Sequence, residues 1–154
     1  MKLVLSIVSI LALVQPGFVQ SSWAQTVLDS DFTISVPRSP GQEAVVESTT
    51  LVPLLEGTCY NWHLRLGKTK GAVEITEVYT LPAKPKSWDL GDDSTVVVSK
   101  DKLSATSTLS LFPLGGWINN GWCVSAGDPV GDYSFEIKSG NTLLHRFEFE
   151  LQEM

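Results

Sequence analysis

Cysteine and histidine are scarce in this sequence, which holds two residues of each kind among 154. A zinc site usually takes its ligands as two pairs, each pair separated by roughly two to five residues along the chain. Cys59 and His63 fit such a pair loosely, but Cys123 has no second ligand close to it in sequence. We therefore predict no metal site and no cofactor. A Cys₂His₂ site completed by His145 is kept as the alternative.

Basic side chains are in the minority. The chain has 11 lysines and arginines against 17 aspartates and glutamates, a formal net charge of −6. Nucleic acids and anionic membranes bind proteins chiefly through a basic face. The charge balance therefore argues against either as the main partner.

The sequence has only one long apolar run, from Leu3 to Val14, and it lies at the N-terminus behind Lys2. Pro16 and Gly17 end the run, and 22–24 places small residues at the two positions that signal peptidase recognises. A membrane-spanning helix needs roughly 20 apolar residues, so an anchor is only the alternative. We predict a signal peptide over 1–24, cleaved after Ala24.

The remaining residues, 25–154, are predicted to form a single secreted or periplasmic domain with no stable membrane anchor. Both cysteines, Cys59 and Cys123, belong to it. Paired cysteines in an exported domain usually form a disulfide. This one would close a loop of about 64 residues, worth roughly 4 kcal/mol in the chain-entropy model. Two free thiols are the alternative.

Helical periodicity is nearly absent after the signal. Short segments rich in β-branched and aromatic residues recur instead, separated by glycine, proline, asparagine and aspartate. We predict hairpins over 58–81, around 100–102 and around 139–141. Residues 82–93 are predicted to cross between sheets, and Pro113–Gly121 is predicted to be a loop. The predicted strands cover 32–36, 43–52, 58–66, 72–81, 95–99, 103–111, 122–125, 133–137 and 143–151.

About eight or nine short strands with long crossings are typical of two packed antiparallel sheets. The predicted fold class is therefore all-β, an immunoglobulin-like sandwich. A closed β-barrel is the alternative.

The end of the chain carries a recognisable pattern. Trp122 precedes Gly-Asp-Pro-x-Gly-x-Tyr-x-Phe-x-Ile over 127–137, a Gly140-Asn141 turn follows, and Phe-x-Phe-x-Leu closes 147–151. This segment resembles the last hairpin of immunoglobulin-like domains in bacterial exported proteins. The resemblance implies a fold and no activity. One departure is that Trp62 follows Cys59 by only three residues, so the cysteines are not assumed to form the usual disulfide between the sheets.

Four tryptophans lie after the predicted cleavage site. Trp62 and Trp122 fall in predicted strands and are expected in the core. Trp88 and Trp117 fall in predicted loops, and exposed tryptophans are common at binding hot spots. We predict a binding site at these loops, formed by Trp88, Trp117, Asn119 and Asn120. In the alternative interpretation the two loop tryptophans cover the open ends of the sandwich.

An acidic cluster accompanies Trp88, formed by Asp89, Asp92 and Asp93. Sugar hydrolases use a pair of carboxylates beside aromatic residues, and this cluster could supply such a pair. Calcium binding is a second possibility, but the spacing of the three aspartates does not match an EF-hand loop. No Gly-x-Ser-x-Gly or Ser-x-x-Lys motif occurs. We therefore predict no catalytic residue and treat the cluster as a solvated loop.

These observations favour an exported, non-catalytic binding domain with a protein or carbohydrate partner. One alternative is an inhibitor that presents Pro113–Gly121 or Pro82–Pro85 to a secreted enzyme. The other is a small hydrolase or metal-binding protein, which a pocket holding Asp92, Asp93 and His63 would favour.

Overall fold

The computed structural model describes residues 25–39, 41–88, 90 and 95–154, and this part of the chain forms ten β-strands and no helix. The predicted signal peptide over 1–24 lies outside the described residues. The strands are β1 Val27–Val36, β2 Val45–Ser48, β3 Leu51–Pro53, β4 Cys59–Leu66, β5 Val73–Thr80, β6 Val96–Val98, β7 Ser104–Leu111, β8 Trp117–Cys123, β9 Gly131–Ser139 and β10 Thr142–Gln152.

The strands form two sheets. The first has four strands in the order β2-β1-β4-β8, and the second has six in the order β3-β10-β9-β5-β7-β6. All neighbours are antiparallel except β3 and β10, which are parallel. Neither sheet closes on itself, so the prediction of an all-β sandwich is confirmed and the closed barrel is wrong.

The core lies between the sheets, because every second side chain of a strand points to the same face. In β4 the alternating residues Tyr60, Trp62, Leu64 and Leu66 are all buried, as predicted. The second sheet meets them with buried residues from β5, β9 and β10, namely Val73, Ile75, Tyr79, Tyr133, Phe135, Ile137, Phe147, Phe149 and Leu151. Burial of each large side chain contributes roughly 1.5–3 kcal/mol.

The predicted hairpin over 58–81 is wrong. Its strands are β4 and β5, and they lie in different sheets. Their apolar faces pack against each other across the core instead of lying side by side. Alternation in the sequence identifies the buried face of a strand but does not distinguish a neighbour in the same sheet from a strand in the facing sheet.

Two other connections differ from the prediction. The predicted strand over 43–52 is divided at Thr49 and Thr50, so that β2 pairs with β1 and β3 pairs with β10 of the other sheet. This division accounts for the tenth strand. Residues 82–93 are predicted to cross between sheets, but the strands before and after them, β5 and β6, belong to the same sheet and are separated there by β7.

The predicted loop over Pro113–Gly121 is also wrong in part, since β8 begins at Trp117. Asn119, Asn120 and Gly121 suggest a turn, but pairing with β4 overrides this local preference. The turn lies earlier, at Gly115 and Gly116, whose φ values are 60° and 88°. A Cβ at Gly121 would lie 2.3 Å from the Tyr60 carbonyl oxygen, so this strand position requires glycine.

The closing hairpin has the predicted form. Gly131 has a φ of 126°, and Tyr133 enters the core two residues later. The Tyr133 hydroxyl donates a hydrogen bond of 2.6 Å to the Pro129 carbonyl. A hydroxyl that bonds to the backbone a few residues upstream is the tyrosine corner of immunoglobulin-like sandwiches. Gly140 and Asn141 then turn the chain into β10.

The predicted disulfide between Cys59 and Cys123 is present. The two residues lie directly opposite each other on β4 and β8, which are neighbours in the first sheet. The bridge therefore fastens the edge strand β8 to its own sheet and does not connect the two sheets.

We expect a Cys59→Ala, Cys123→Ala double variant to lose up to roughly 4 kcal/mol of unfolding free energy, because the bridge closes 64 residues of chain and restricts the unfolded state. Urea unfolding of both proteins, with and without reductant, measures the difference. Reductant should destabilise only the parent protein. A parent that unfolds at the same urea concentration in both conditions would contradict this account.

Candidate functional site

A glutamate side chain is completely buried between the sheets. Glu77 lies on β5 at an inward position, and none of its surface is exposed. The indole N–H groups of Trp62 and Trp122 both donate to its carboxylate, the latter at 2.8 Å. The Asn120 amide donates a third hydrogen bond, of 3.1 Å. The three N–H donors therefore satisfy both carboxyl oxygens, which act as hydrogen-bond acceptors.

The donors of this network come from β4 and β8 of the first sheet, and the acceptor comes from the second. A buried carboxylate is costly unless its oxygens are hydrogen-bonded. The network therefore fixes how the sheets face each other. Glu77 is not among the site residues predicted from the sequence, although one signal for it is present: Glu77 interrupts the inward series of Val73, Ile75 and Tyr79.

A cleft of about 370 Å³ opens beside this network, along the free edge of β8. Its floor and walls come from both sheets, from the segment after β5 and from the segment after β8. The described lining residues include Tyr60, Tyr79, Trp88, Ser107, Asn120, Trp122, Ser125 and Asp128.

Three aromatic rings form one wall of the cleft. Trp88 packs edge-on against Tyr79 and Trp122, with ring centroids 6.0 and 6.1 Å apart. Its indole N–H donates to the Lys102 carbonyl at 3.3 Å, which holds the segment after β5 against the turn before β7. Trp88 is half-buried, so one part of the ring belongs to the core and another faces the cleft.

Asp128 supplies the one acidic side chain among the described lining residues, and these include no lysine, arginine or histidine. Its carboxylate accepts a hydrogen bond of 2.9 Å from the Ser125 backbone N–H. Partial burial raises the pKa of Asp128, and that hydrogen bond offsets the rise only in part.

A second surface lies at the turn between β7 and β8. Phe112 and Leu114 are 77 % and 86 % exposed, and Trp117 beside them is half-buried. We call Phe112, Pro113, Leu114 and Trp117 the apolar tip. Trp117 belongs to the binding site predicted from the sequence, but Phe112 and Leu114 do not, because their exposure depends on where the sheets end.

The apolar tip is rigid. Leu114 and Trp117 exchange two backbone hydrogen bonds of 2.9 and 3.0 Å around the two glycines. The Leu66 N–H also donates to the Gly116 carbonyl at 2.8 Å, which attaches the turn to the end of β4. Pro113 further restricts the backbone.

The structure separates the four residues of the predicted binding site. Trp88 and Asn120 line the cleft. Trp117 belongs to the apolar tip, and Asn119 is exposed on β8 opposite His63. Trp117 and Trp122 are five residues apart in one strand, hence roughly 17 Å apart, so the cleft and the apolar tip are distinct surfaces.

The histidines and acidic residues of the alternative hypotheses are not brought together. His63 forms a hydrogen bond of 2.9 Å with the Thr33 hydroxyl, and His145 packs edge-on against Phe147. Both cysteines are in the disulfide and cannot ligate zinc, which makes the Cys₂His₂ alternative wrong. Asp89, Asp92 and Asp93 lie outside the described residues, and the described cleft lining does not include His63.

In the part of the chain that the structure describes, no group of three or more histidine, cysteine, aspartate or glutamate residues is placed to hold a metal ion. The same residues include no helix that is long and apolar enough to cross a membrane.

Replacing Glu77 by glutamine should lower the unfolding free energy by about 2–4 kcal/mol, because an NH₂ group would then face the N–H donors of Trp62, Trp122 or Asn120. Glu74→Gln is the matched control, since Glu74 is exposed on the same strand and should change stability by less than about 0.5 kcal/mol. Urea unfolding measures both. Equal stability of the two variants would show that the buried hydrogen bonds do not stabilise the fold.

Asp128→Asn should make the protein more stable at pH 7 but not near pH 3. Because folding raises the pKa of Asp128, the folded state binds the proton more tightly than the unfolded state. Stability is therefore lost as the pH rises from the ordinary carboxyl pKa, about 3.9, through the folded value. Urea midpoints at the two pH values measure the effect, with exposed Asp132→Asn as control. A variant less stable than its parent at pH 7 would contradict the assignment.

Comparisons with known proteins agree with the fold. An immunoglobulin-like protein from Pseudomonas aeruginosa has a similar structure, with a TM-score of 0.54 and 19% sequence identity, and the match covers 83% of this chain and 96% of that one. A search of curated proteins finds no match to the chain. Residues 30–152 match the model of the family described as PM0630 beta sandwich domain. The chain therefore belongs to the PM0630 beta sandwich domain family.

Proposed function

We propose that this protein is an exported, non-catalytic binding domain that holds a protein partner at the apolar tip. The observation that carries the proposal is the exposure of Phe112 and Leu114, at 77 % and 86 %. Two large apolar side chains that are one residue apart and exposed to water are unfavourable, and exposed apolar surface commonly marks an interaction site when it is extensive.

The rigidity of the apolar tip supports the same proposal. A partner gains most from apolar contacts when the binding loop is already ordered, because little conformational entropy is then lost on association. The hydrogen bonds of Leu114, Gly116 and Trp117 provide that order. Trp117 adds a large aromatic surface at the base, and tryptophan is enriched among binding hot spots.

Two features support the remaining parts of the proposal. The Cys59–Cys123 disulfide fits an oxidising compartment, which supports export. His63 is hydrogen-bonded to Thr33 of β1, His145 packs against Phe147, and neither histidine lines the cleft. The proposal therefore assigns no catalytic role to any residue.

An inhibitor of a secreted enzyme is a special case of this function. A stiff segment carrying Phe112 and Leu114 suits an apolar specificity pocket, and Pro113 between them limits the backbone motion that such a segment must lose. The identity of the captured partner separates an inhibitor from another interaction domain.

The test is affinity capture from the native extracellular or periplasmic fluid, followed by measurement of the affinity for the captured protein. We expect a Phe112→Ser, Leu114→Ser variant to bind at least about tenfold more weakly, since hot-spot side chains contribute 2 kcal/mol or more. Its stability should stay within about 0.5 kcal/mol of the parent, because both residues are exposed.

Val97→Ser is the matched control. Val97 is an apolar residue on β6 that is 67 % exposed, and it lies outside the apolar tip. The control should bind the partner like the parent. If the Phe112, Leu114 variant also binds like the parent, the apolar tip is not the binding surface. Binding of the parent to neutral lipid vesicles and to no protein would likewise overturn the proposal.

A further inference from the structure

The cleft is negatively charged and holds no described compensating cation. Asp128 lines it, and the Glu77 carboxylate lies directly behind two other lining residues, Asn120 and Trp122. All three donors to Glu77 are neutral N–H groups, so they bring no positive charge toward the cleft. Within the described residues the ion pairs are confined to Glu136, Lys138, Arg146 and Glu148 on β9 and β10.

Lys86 lies close to Asp128 in the structure. Its backbone N–H donates to the Gly127 carbonyl, next to Asp128, and its side-chain carbons lie along Gly127. The Lys86 side chain is exposed, however, and it forms no ion pair with Asp128 among the described residues. Partial burial also withdraws solvent from the Asp128 carboxylate. A positive group inside the cleft would therefore meet an attractive field that water screens only in part.

The walls of the cleft suit the same kind of ligand. Trp88, Trp122 and Tyr79 contribute aromatic surface, and their centroids lie within 6.1 Å of one another. The face of an aromatic ring is electronegative and attracts a cation within about 6 Å, most strongly when the cation is an ammonium group shielded from water.

Several polar groups of the cleft are already hydrogen-bonded within the protein and are less available to a sugar, which needs many directed hydrogen bonds. The Tyr60 and Tyr79 hydroxyls are hydrogen-bonded to each other at 2.5 Å. The Asn120 amide donates to Glu77, and one Asp128 oxygen accepts from the backbone. The hydroxyls of Ser87, Ser107 and Ser125 also line the cleft, so a sugar is the competing ligand that the experiment must include. Attraction of an ammonium ion requires only charge and aromatic faces.

We propose that the cleft between β8 and the segment after β5 binds a small organic cation with an ammonium head group. The head group lies against Trp88 and Trp122 and is neutralised by Asp128. This site is separate from the apolar tip, so the proposal does not depend on the proposed function.

The experiment compares choline with its neutral carbon analogue, 3,3-dimethylbutan-1-ol, by NMR titration of the indole N–H signals. Choline should bind at least about tenfold more tightly than the alcohol, with shifts at Trp88 and Trp122. Asp128→Asn should weaken choline binding by about fivefold and leave the alcohol unchanged. Trp88→Leu should weaken the binding of choline, because it removes one aromatic face.

Asp132→Asn controls for the general negative charge of the protein, since Asp132 is exposed on β9 and does not line the cleft. It should bind choline like the parent. Equal affinities for choline and the alcohol would overturn the proposal, as would tighter binding of methyl glucoside. No binding of choline, or binding unaffected by both Asp128→Asn and Trp88→Leu, would overturn it too. None of these outcomes bears on partner capture by Phe112 and Leu114.

Discussion

The hydrogen bonds of the buried Glu77 carboxylate are the constraint on which the two-sheet arrangement depends. Immunoglobulin domains commonly connect their sheets by a disulfide that packs against a tryptophan. Here the disulfide joins β4 and β8 within one sheet, and the tryptophans have another role. Trp62 and Trp122 donate from the first sheet to a carboxylate of the second. Because a buried charge without its donors is strongly destabilising, alternative alignments of the sheets are disfavoured more sharply than apolar packing alone would achieve.

The same network shapes the cleft. Trp122 must turn its indole N–H toward Glu77, and this orientation places its ring against Tyr79 and Trp88. Asn120 likewise points inward to Glu77 and forms part of the cleft lining. The second sheet continues past this point with β7 and β6, while the first ends at β8. The cleft thus follows from an unequal number of strands and from a core interaction that holds aromatic residues at the sheet edge.

Sequence patterns predicted the parts of the fold that depend on local alternation and on turn residues. The inward series of β4 and the Gly131, Tyr133 entry into β9 are examples, and both are confirmed. The pairing partners of the strands are harder to predict, because β4 and β5 show the same alternation whether they are neighbours in one sheet or face each other across the core. The candidate binding residues could be selected from the sequence because they are tryptophans and amides that lie outside the predicted strands, namely Trp88, Trp117 and Asn120. Their separation into two surfaces depends on the register of β8 against β4, which no single segment encodes.

The two candidate surfaces sit at opposite ends of β8 and are held by different bonds. Cys123 ends the strand beside the cleft, and its disulfide to Cys59 fastens that end to β4. At the other end the apolar tip is attached by the Leu66 to Gly116 hydrogen bond and by the two-glycine turn. Loss of the disulfide therefore loosens the strand where it borders the cleft first, while the apolar tip keeps its own attachments. A ligand in the cleft and a partner at the apolar tip accordingly act on separate parts of one edge strand, coupled only through the rigidity of its pairing with β4.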